Sequence, residues 1–156
     1  MYEVSLRRMN KFNGILQYIT RLIRGGSNMR LATIHHIALI CSDYERSKRF
    51  YTEILGFRPI REQYRAERRS YKLDLEADGG IQLELFSFEN PPKRPSYPEA
   101  CGLRHLALAV DNLDEAIAYL RQHGIDPEPV RVDEATGKRF TFFQDPDELP
   151  IELYEN

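Results

Sequence analysis

Only two cysteines occur in the 156 residues, Cys41 and Cys101, in different apolar contexts and without CxxC spacing. That argues against a disulfide framework and against a thiolate zinc site, and predicts a cytoplasmic protein with reduced thiols. No uninterrupted apolar run approaches the length a membrane-crossing helix needs. An excess of charge of either sign is also lacking: 22 basic and 24 acidic side chains leave a formal net of -2. Such a balance provides no global field to recruit nucleic acid or an acidic membrane, so the expected partner is a small molecule. With 42% hydrophobic residues, the chain can bury one sizeable core but not two large ones.

The first 28 residues stand apart. Arg7, Arg8, Lys11, Arg21 and Arg24 face a single acid, Glu3, and Leu6, Met9, Leu16, Ile19 and Ile23 hint at helical spacing. No apolar core and no small-residue cleavage site mark a targeting peptide. Residues 1–28 are therefore expected to form a basic extension outside the fold, which begins at Met29 after Gly25-Gly26-Ser27-Asn28.

From Met29 onward the chain repeats itself. HIALICSDYERSKRFYTEILGF aligns with HLALAVDNLDEAIAYLRQHGI when His36 is set on His105, an offset of 69 that falls to 68 at Gly56 and Gly124. Each copy reads as a strand, a helix and a glycine stop. Ser42 and Glu45 have capping-box spacing, as do Asn112 and Glu115. Phe50, Ile54 and Leu55 in one copy, and Leu113, Ile117 and Leu120 in the other, recur with helical spacing. Gly56 and Gly124 suit left-handed helix ends.

Strand-like runs follow each helix. They are FRPIREQY, SYKLDLEA and IQLELFSF in the first copy, and PEPVRV, KRFTFFQ and PIELYEN in the second. The prolines of NPPKRPSYPEACG cannot sit in a central strand, so residues 89–102 read as a linker. The fold class expected is α+β: two tandem βαβββ modules, residues 32–90 and 101–156, whose curled sheets enclose a metal-containing cleft within a single domain, 29–156.

Strand alternation puts His36 on one face with Ala38 and Ile40, and His105 on one face with Ala107 and Ala109. Glu84 lies inside LELF and Glu152 inside IELY, where an unpaired buried carboxylate would cost several kcal/mol or shift its pKa strongly. His36 precedes Glu84 by 48 positions and His105 precedes Glu152 by 47, so the modules carry the same pair at matching places. A divalent metal ion would neutralise the two carboxylates, and neutral imidazoles suit zinc, nickel or iron. His35 and His123 have no matching partners. Gln82 shares the strand face of Glu84 and rivals it for the ligand position.

The stretches HIALICSDYERSKRFYTEILGF, LELF, RHLALAV and FFQDPDELPIELYE resemble the vicinal oxygen chelate superfamily, in particular the short bacterial glyoxalase I-like (lactoylglutathione lyase-like) proteins. The resemblance covers roughly residues 32–155. It implies the glyoxalase/bleomycin resistance/dioxygenase fold, with His36, Glu84, His105 and Glu152 as ligands of one nickel or zinc ion. It also implies a homodimer, and a substrate such as the glutathione hemithioacetal of methylglyoxal. By the same resemblance Glu152 is the favoured catalytic base, with Glu84 able to act from the other side. The metal would polarise a substrate chelated through adjacent oxygens, and a glutamate would move a proton between neighbouring carbons.

Two departures from the family pattern bear on the substrate. Glu148 follows Asp145-Pro146-Asp147 where relatives carry glycine, so the turn is expected to differ. The linker is also unlike that expected of a glutathione enzyme. Arg69, Lys138 and Arg139 are candidates for holding a substrate carboxylate, although alternation aims Lys138 and Arg139 oppositely. The alternatives are an acyl-CoA epimerase, which Gln82 would favour, an iron enzyme with three ligands, a thiol transferase like the fosfomycin-resistance proteins, and a metal-free immunity protein that sequesters a drug.

Overall fold

The computed structural model describes residues 31–156, and Ile34–Asn156 form one compact unit. The basic extension expected over residues 1–28 lies outside the described residues.

Both modules follow the expected order. In the first, β1 (His36–Cys41) leads into α1 (Tyr44–Arg49), continued by a wider π-helical turn over Phe50–Ile54, and then into β2 (Arg58–Arg65), β3 (Ser70–Glu76) and β4 (Gln82–Ser87). In the second, β5 (Leu106–Val110) is followed by α2 (Leu113–Gln122), a short β6 (Arg131–Val132), β7 (Arg139–Gln144) and β8 (Pro150–Glu155). Each module makes one mixed four-stranded sheet, β1-β4-β3-β2 and β5-β8-β7-β6, with the first strand parallel to its neighbour and the rest antiparallel. β1 and β5 are edge strands, each paired on one side only.

Helix starts depend on side chains that accept the free amides of the first turn. Asn112 does this for α2, accepting from the Asp114 and Glu115 amides. In α1 the cap is Asp43, which accepts from the Arg46 amide, and not the Ser42 that the S-x-x-E spacing suggests. The Ser42 amide is taken instead by the Asp147 carboxylate of the second module. Gly56 (φ 73°) and Gly124 (φ 75°) close both helical segments in the left-handed region, as expected of C-caps.

Period-two alternation then divides each sheet into a core face and an open face. Leu73, Leu75, Leu83 and Leu85 are fully buried on one face of the first sheet, and Leu106, Ile151 and Leu153 on the corresponding face of the second. These faces, with Leu113, Ile117 and Leu120 from α2 and Phe50 and Tyr51 from the π turn, form one continuous core. Burying each such side chain is worth about 1.5–3 kcal/mol. Phe50 meets Phe143 across the modules at 6.3 Å between ring centroids, and the Tyr51 hydroxyl donates to Asp145 at 2.9 Å. The core therefore lies on the helix side of both sheets. Their other faces are left for polar residues.

The Asp145–Glu148 turn forms without a glycine. Glu148 itself takes a left-handed conformation, φ 66°, and its amide donates to the Asp145 carbonyl. Asp145 accepts from the Asp147 and Leu149 amides as well, which holds the turn in place. A side chain is thus placed where one is disfavoured.

Candidate functional site

Strand register brings each histidine to its own glutamate. In the first module Ala38 lies level with Glu84, and His36, two residues back on the same face, reaches it with Nε2 3.7 Å from Oε2. In the second, Ala107 lies level with Glu152, and His105, just ahead of β5, reaches it at 3.1 Å. The alanines are what make this possible, since a larger side chain between histidine and glutamate would stand in the way. Both glutamates are largely shielded while both histidines stay partly open. Gln82 lies level with His36 on the same face, but Pro150 occupies the matching place in β8. The glutamine thus has no counterpart in the second module.

The two pairs remain separate. Among the described residues no three side chains of His, Cys, Asp or Glu gather into a metal-ligating group. Imidazole with carboxylate is a donor chemistry that suits nickel or zinc, and each sheet carries one such pair. A cavity of about 780 Å³ lies elsewhere, between β1, the linker and the Asp145–Leu149 turn, and none of the four residues lines it.

The open face of the first sheet carries further charges. Lys72 donates to Glu84 Oε1 at 2.7 Å and to Asp74 Oδ1 at 2.5 Å, and Arg61 Nε donates to Asp74 Oδ2 at 3.0 Å. A register shift in β2 between Pro59 and Arg61 sets Arg61 opposite Asp74. Burial pulls the Lys72 ammonium down, but its hydrogen bonds to Asp74 and Glu84 outweigh this and leave it above the ordinary lysine value. Burial likewise pushes the Asp74 carboxyl up, and the two cations more than reverse the effect. The open face of the second sheet is aromatic. Phe142 packs edge-on to His105 at 5.3 Å and against Phe140, and the Arg131 guanidinium lies 5.1 Å from both phenylalanine rings.

The three cations singled out from sequence lie apart from these pairs or are otherwise engaged. Arg69 is on the β2–β3 turn, highly exposed, 3.8 Å from Glu89. Arg139 points to the helix side, bonded to Asp114 and Glu155, and it holds the Glu155 carboxyl down at about 2. Lys138 is exposed ahead of β7. Lys72, Asp74 and Arg61 were the residues to look for: in SYKLDLEA, alternation puts Lys72 and Asp74 on one face, between leucines, as in LELF.

A family model for the glyoxalase/bleomycin resistance protein/dioxygenase superfamily matches residues 33–153. The chain belongs to that superfamily. Within it, the chain is 61% identical over 127 residues to the protein YwkD of Bacillus subtilis (strain 168), covering 81% of this chain and 99% of that one. It is 33% identical over 127 residues to the lactoylglutathione lyase of Salmonella typhimurium (strain LT2), covering 77% and 90%. Among solved structures, the glyoxalase family protein from Enterococcus faecalis superposes with a TM-score of 0.75 at 51% identity, covering 81% of this chain and all of that one. The two four-stranded mixed sheets are those of this superfamily's fold. Among the described residues, no helix is long and apolar enough to cross a membrane.

Proposed function

We propose that this superfamily member is a metal-dependent lyase of the glyoxalase I type, acting on a small molecule bound through vicinal oxygens, at a site completed between two copies of the chain. The observation that carries the reading is the duplicated half-site: His36 with Glu84 and His105 with Glu152, on matching positions of two repeated sheets.

Two features support completion across a homodimer. One chain supplies its ligands in twos. β1 and β5, the strands that begin with or follow the histidines, are apolar edge strands with one free side each, and Ile40 on β1 is 58% exposed. Exposed apolar edges invite pairing with another chain. In a two-fold arrangement, β1 of each copy meets β5 of the other and both sites form at once.

His36, Glu84, His105 and Glu152 would together hold a nickel or zinc ion, which when bound would supply Lewis acidity toward a substrate oxygen. The chain's part is proton transfer. Glu152 takes the proton from the hydroxyl-bearing carbon and returns it to the adjacent carbonyl carbon, while the hydroxyl proton passes from the first oxygen to the second, so the first carbon becomes a carbonyl and the second an alcohol, with no external oxidant. Glu84 is placed to act from the opposite side. His36 and His105 orient the two carboxylates and complete the donor set. Similarity to a lactoylglutathione lyase supports the methylglyoxal–glutathione hemithioacetal as the substrate to try first. Commitment of two carboxylates to imidazoles on the open sheet faces disfavours a metal-free drug-binding role.

Elemental analysis of wild type, His36→Ala and Glu152→Ala, each soaked in nickel or zinc, tests the metal. Wild type is expected to hold stoichiometric metal and the variants to lose it. A wild type that takes up none overturns the reading. An assay of the loaded protein with methylglyoxal and glutathione, followed by thioester absorbance, tests the substrate. A loaded but inactive protein removes that substrate and leaves the metal centre standing.

A further inference from the structure

The two halves of the candidate site match in their histidines and glutamates but differ beside them. Lys72 pairs across β3–β4 with Phe86, and Asp74 with Glu84; Phe140 pairs across β7–β8 with Tyr154, and Phe142 with Glu152. Lys72 and Asp74 therefore hold the positions that Phe140 and Phe142 hold in the other module. One wall is charged and the other aromatic.

Neutralising a glutamate does not explain the lysine. Glu152, on the wall without it, is as shielded as Glu84, and its side chain pairs with His105 alone among the described residues. Asp74 does not need the lysine either, because Arg61 already engages it with Nη2 at 2.8 Å and Nε at 3.0 Å. What Asp74 and Glu84 accomplish together is to fix the ammonium: the Lys72 side chain is 18% exposed, and its nitrogen lies 5.7 Å from the Phe86 ring centroid. Once Glu84 is committed to a divalent ion, Arg61 and Lys72 outnumber Asp74. The ammonium then has a donor free beside the ion, where only an anion or an oxygen-rich group is tolerated.

We propose that Lys72 is a specificity-determining residue that favours ligands in which one of the two vicinal oxygens carries negative charge, whether a 2-hydroxy or 2-oxo carboxylate or the hemithioacetal once its C–H proton has left, over ligands whose vicinal oxygens stay neutral. This inference rests on the metal-site reading above. The Arg61–Asp74 pair positions the lysine.

Glycolate and glycolamide, matched in size and both able to chelate, are the probes, titrated calorimetrically into the zinc- or nickel-loaded protein. A charged ligand favours a divalent ion in any case, so the ratio of the two affinities across variants is the readout. Lys72→Met and Lys72→Gln are expected to lower the glycolate-to-glycolamide ratio by about tenfold or more, the scale of a lost charge-assisted hydrogen bond, while Lys72→Arg stays within about threefold of wild type. Retention of the wild-type ratio by both neutral variants overturns the proposal and leaves the metal reading intact. So does loss of metal from both neutral variants, which would make the lysine a support for Glu84. A wild type that takes up no metal brings down the metal reading and this inference together, and elemental analysis before the titration separates that case from the others.

Discussion

Complementation between two inactive chains gives the sharpest test of a shared site. One variant carries His36→Ala with Glu84→Ala and so lacks the first half-site; the other carries His105→Ala with Glu152→Ala and lacks the second. Alone, neither dimer has a complete ligand set, and both should hold no stoichiometric metal. Co-refolded in equal amounts, the chains combine at random and about half of the dimers are mixed. In a mixed dimer one site takes its first half from the second variant and its second half from the first, so all four ligands are intact, while the other site has none. The mixture should therefore recover about one quarter of the wild-type metal content per chain, and about one quarter of any activity. The half-site geometry makes this arithmetic possible, since each histidine is within 3.1 Å to 3.7 Å of the glutamate of its own module and among the described residues neither pair is part of a group of three His, Cys, Asp or Glu able to hold a metal. Elemental analysis after gel filtration of the dimer peak provides the number. If the mixture binds no more metal than the separate variants while wild type is fully loaded, each site lies within one chain and the proposed assembly is wrong.

Glu148→Gly should stabilise the fold by about 0.5–1 kcal/mol, because the residue already sits at φ 66° and glycine relieves the strain at a cost in unfolded-chain entropy; thermal denaturation that shows no rise in Tm would count against a strained turn. Asp145→Ala removes an acceptor from Tyr51 and from the amides of Asp147 and Leu149, and should cost about 2–4 kcal/mol in urea unfolding. Burial raises the Asp145 pKa above its ordinary 3.8, so its contribution is greatest in acid and declines as pH climbs through the raised value. Asp145→Asn should flatten that decline between wild-type curves taken on either side of it, and an unchanged pH dependence would show that the carboxyl does not titrate there. Asn112→Ala should cost about 1 kcal/mol through the two amides it leaves uncapped at the start of α2, read from the same unfolding curves.

The repeat made the architecture legible because the same physical pattern was written twice. Alternation in HIALIC and LALAV, glycine at both helix ends and proline in the linker each depend on neighbours close in sequence, and the sheets formed where those signals placed them. Helix caps were less legible: in SDYE both Ser42 and Asp43 can accept an amide, and the choice falls to Asp43 because Asp147, more than a hundred residues away, takes the Ser42 amide. β6 shrank from the six residues of PEPVRV to two for a related reason, since Pro127 and Pro129 have no amide to offer a ladder. Glu148 shows the opposite limit. The sequence there lacks a glycine, yet three hydrogen bonds to Asp145 help hold Glu148 in a left-handed conformation against the residue's own preference.

In the site, the repeat both revealed and concealed. Residues that match between the modules are His36 with His105 and Glu84 with Glu152, as the proposed metal centre built from two related halves would require. A search for such matches passes over Lys72, whose counterpart is Phe140, and it leaves the arginines and lysines of the turns as the apparent carboxylate binders. Arg69 and Arg139 satisfy sequence logic but not geometry, one pointing to solvent beside Glu89 and the other bound on the helix side by Asp114 and Glu155. Ligation is a property the two modules must share, whereas selectivity for one end of an asymmetric substrate has to come from where they differ. The residues that distinguish substrates in a duplicated fold are therefore to be sought at positions on the open faces where symmetry fails next to symmetric ligands, and in this chain Lys72 and Asp74 opposite Phe140 and Phe142 are such positions.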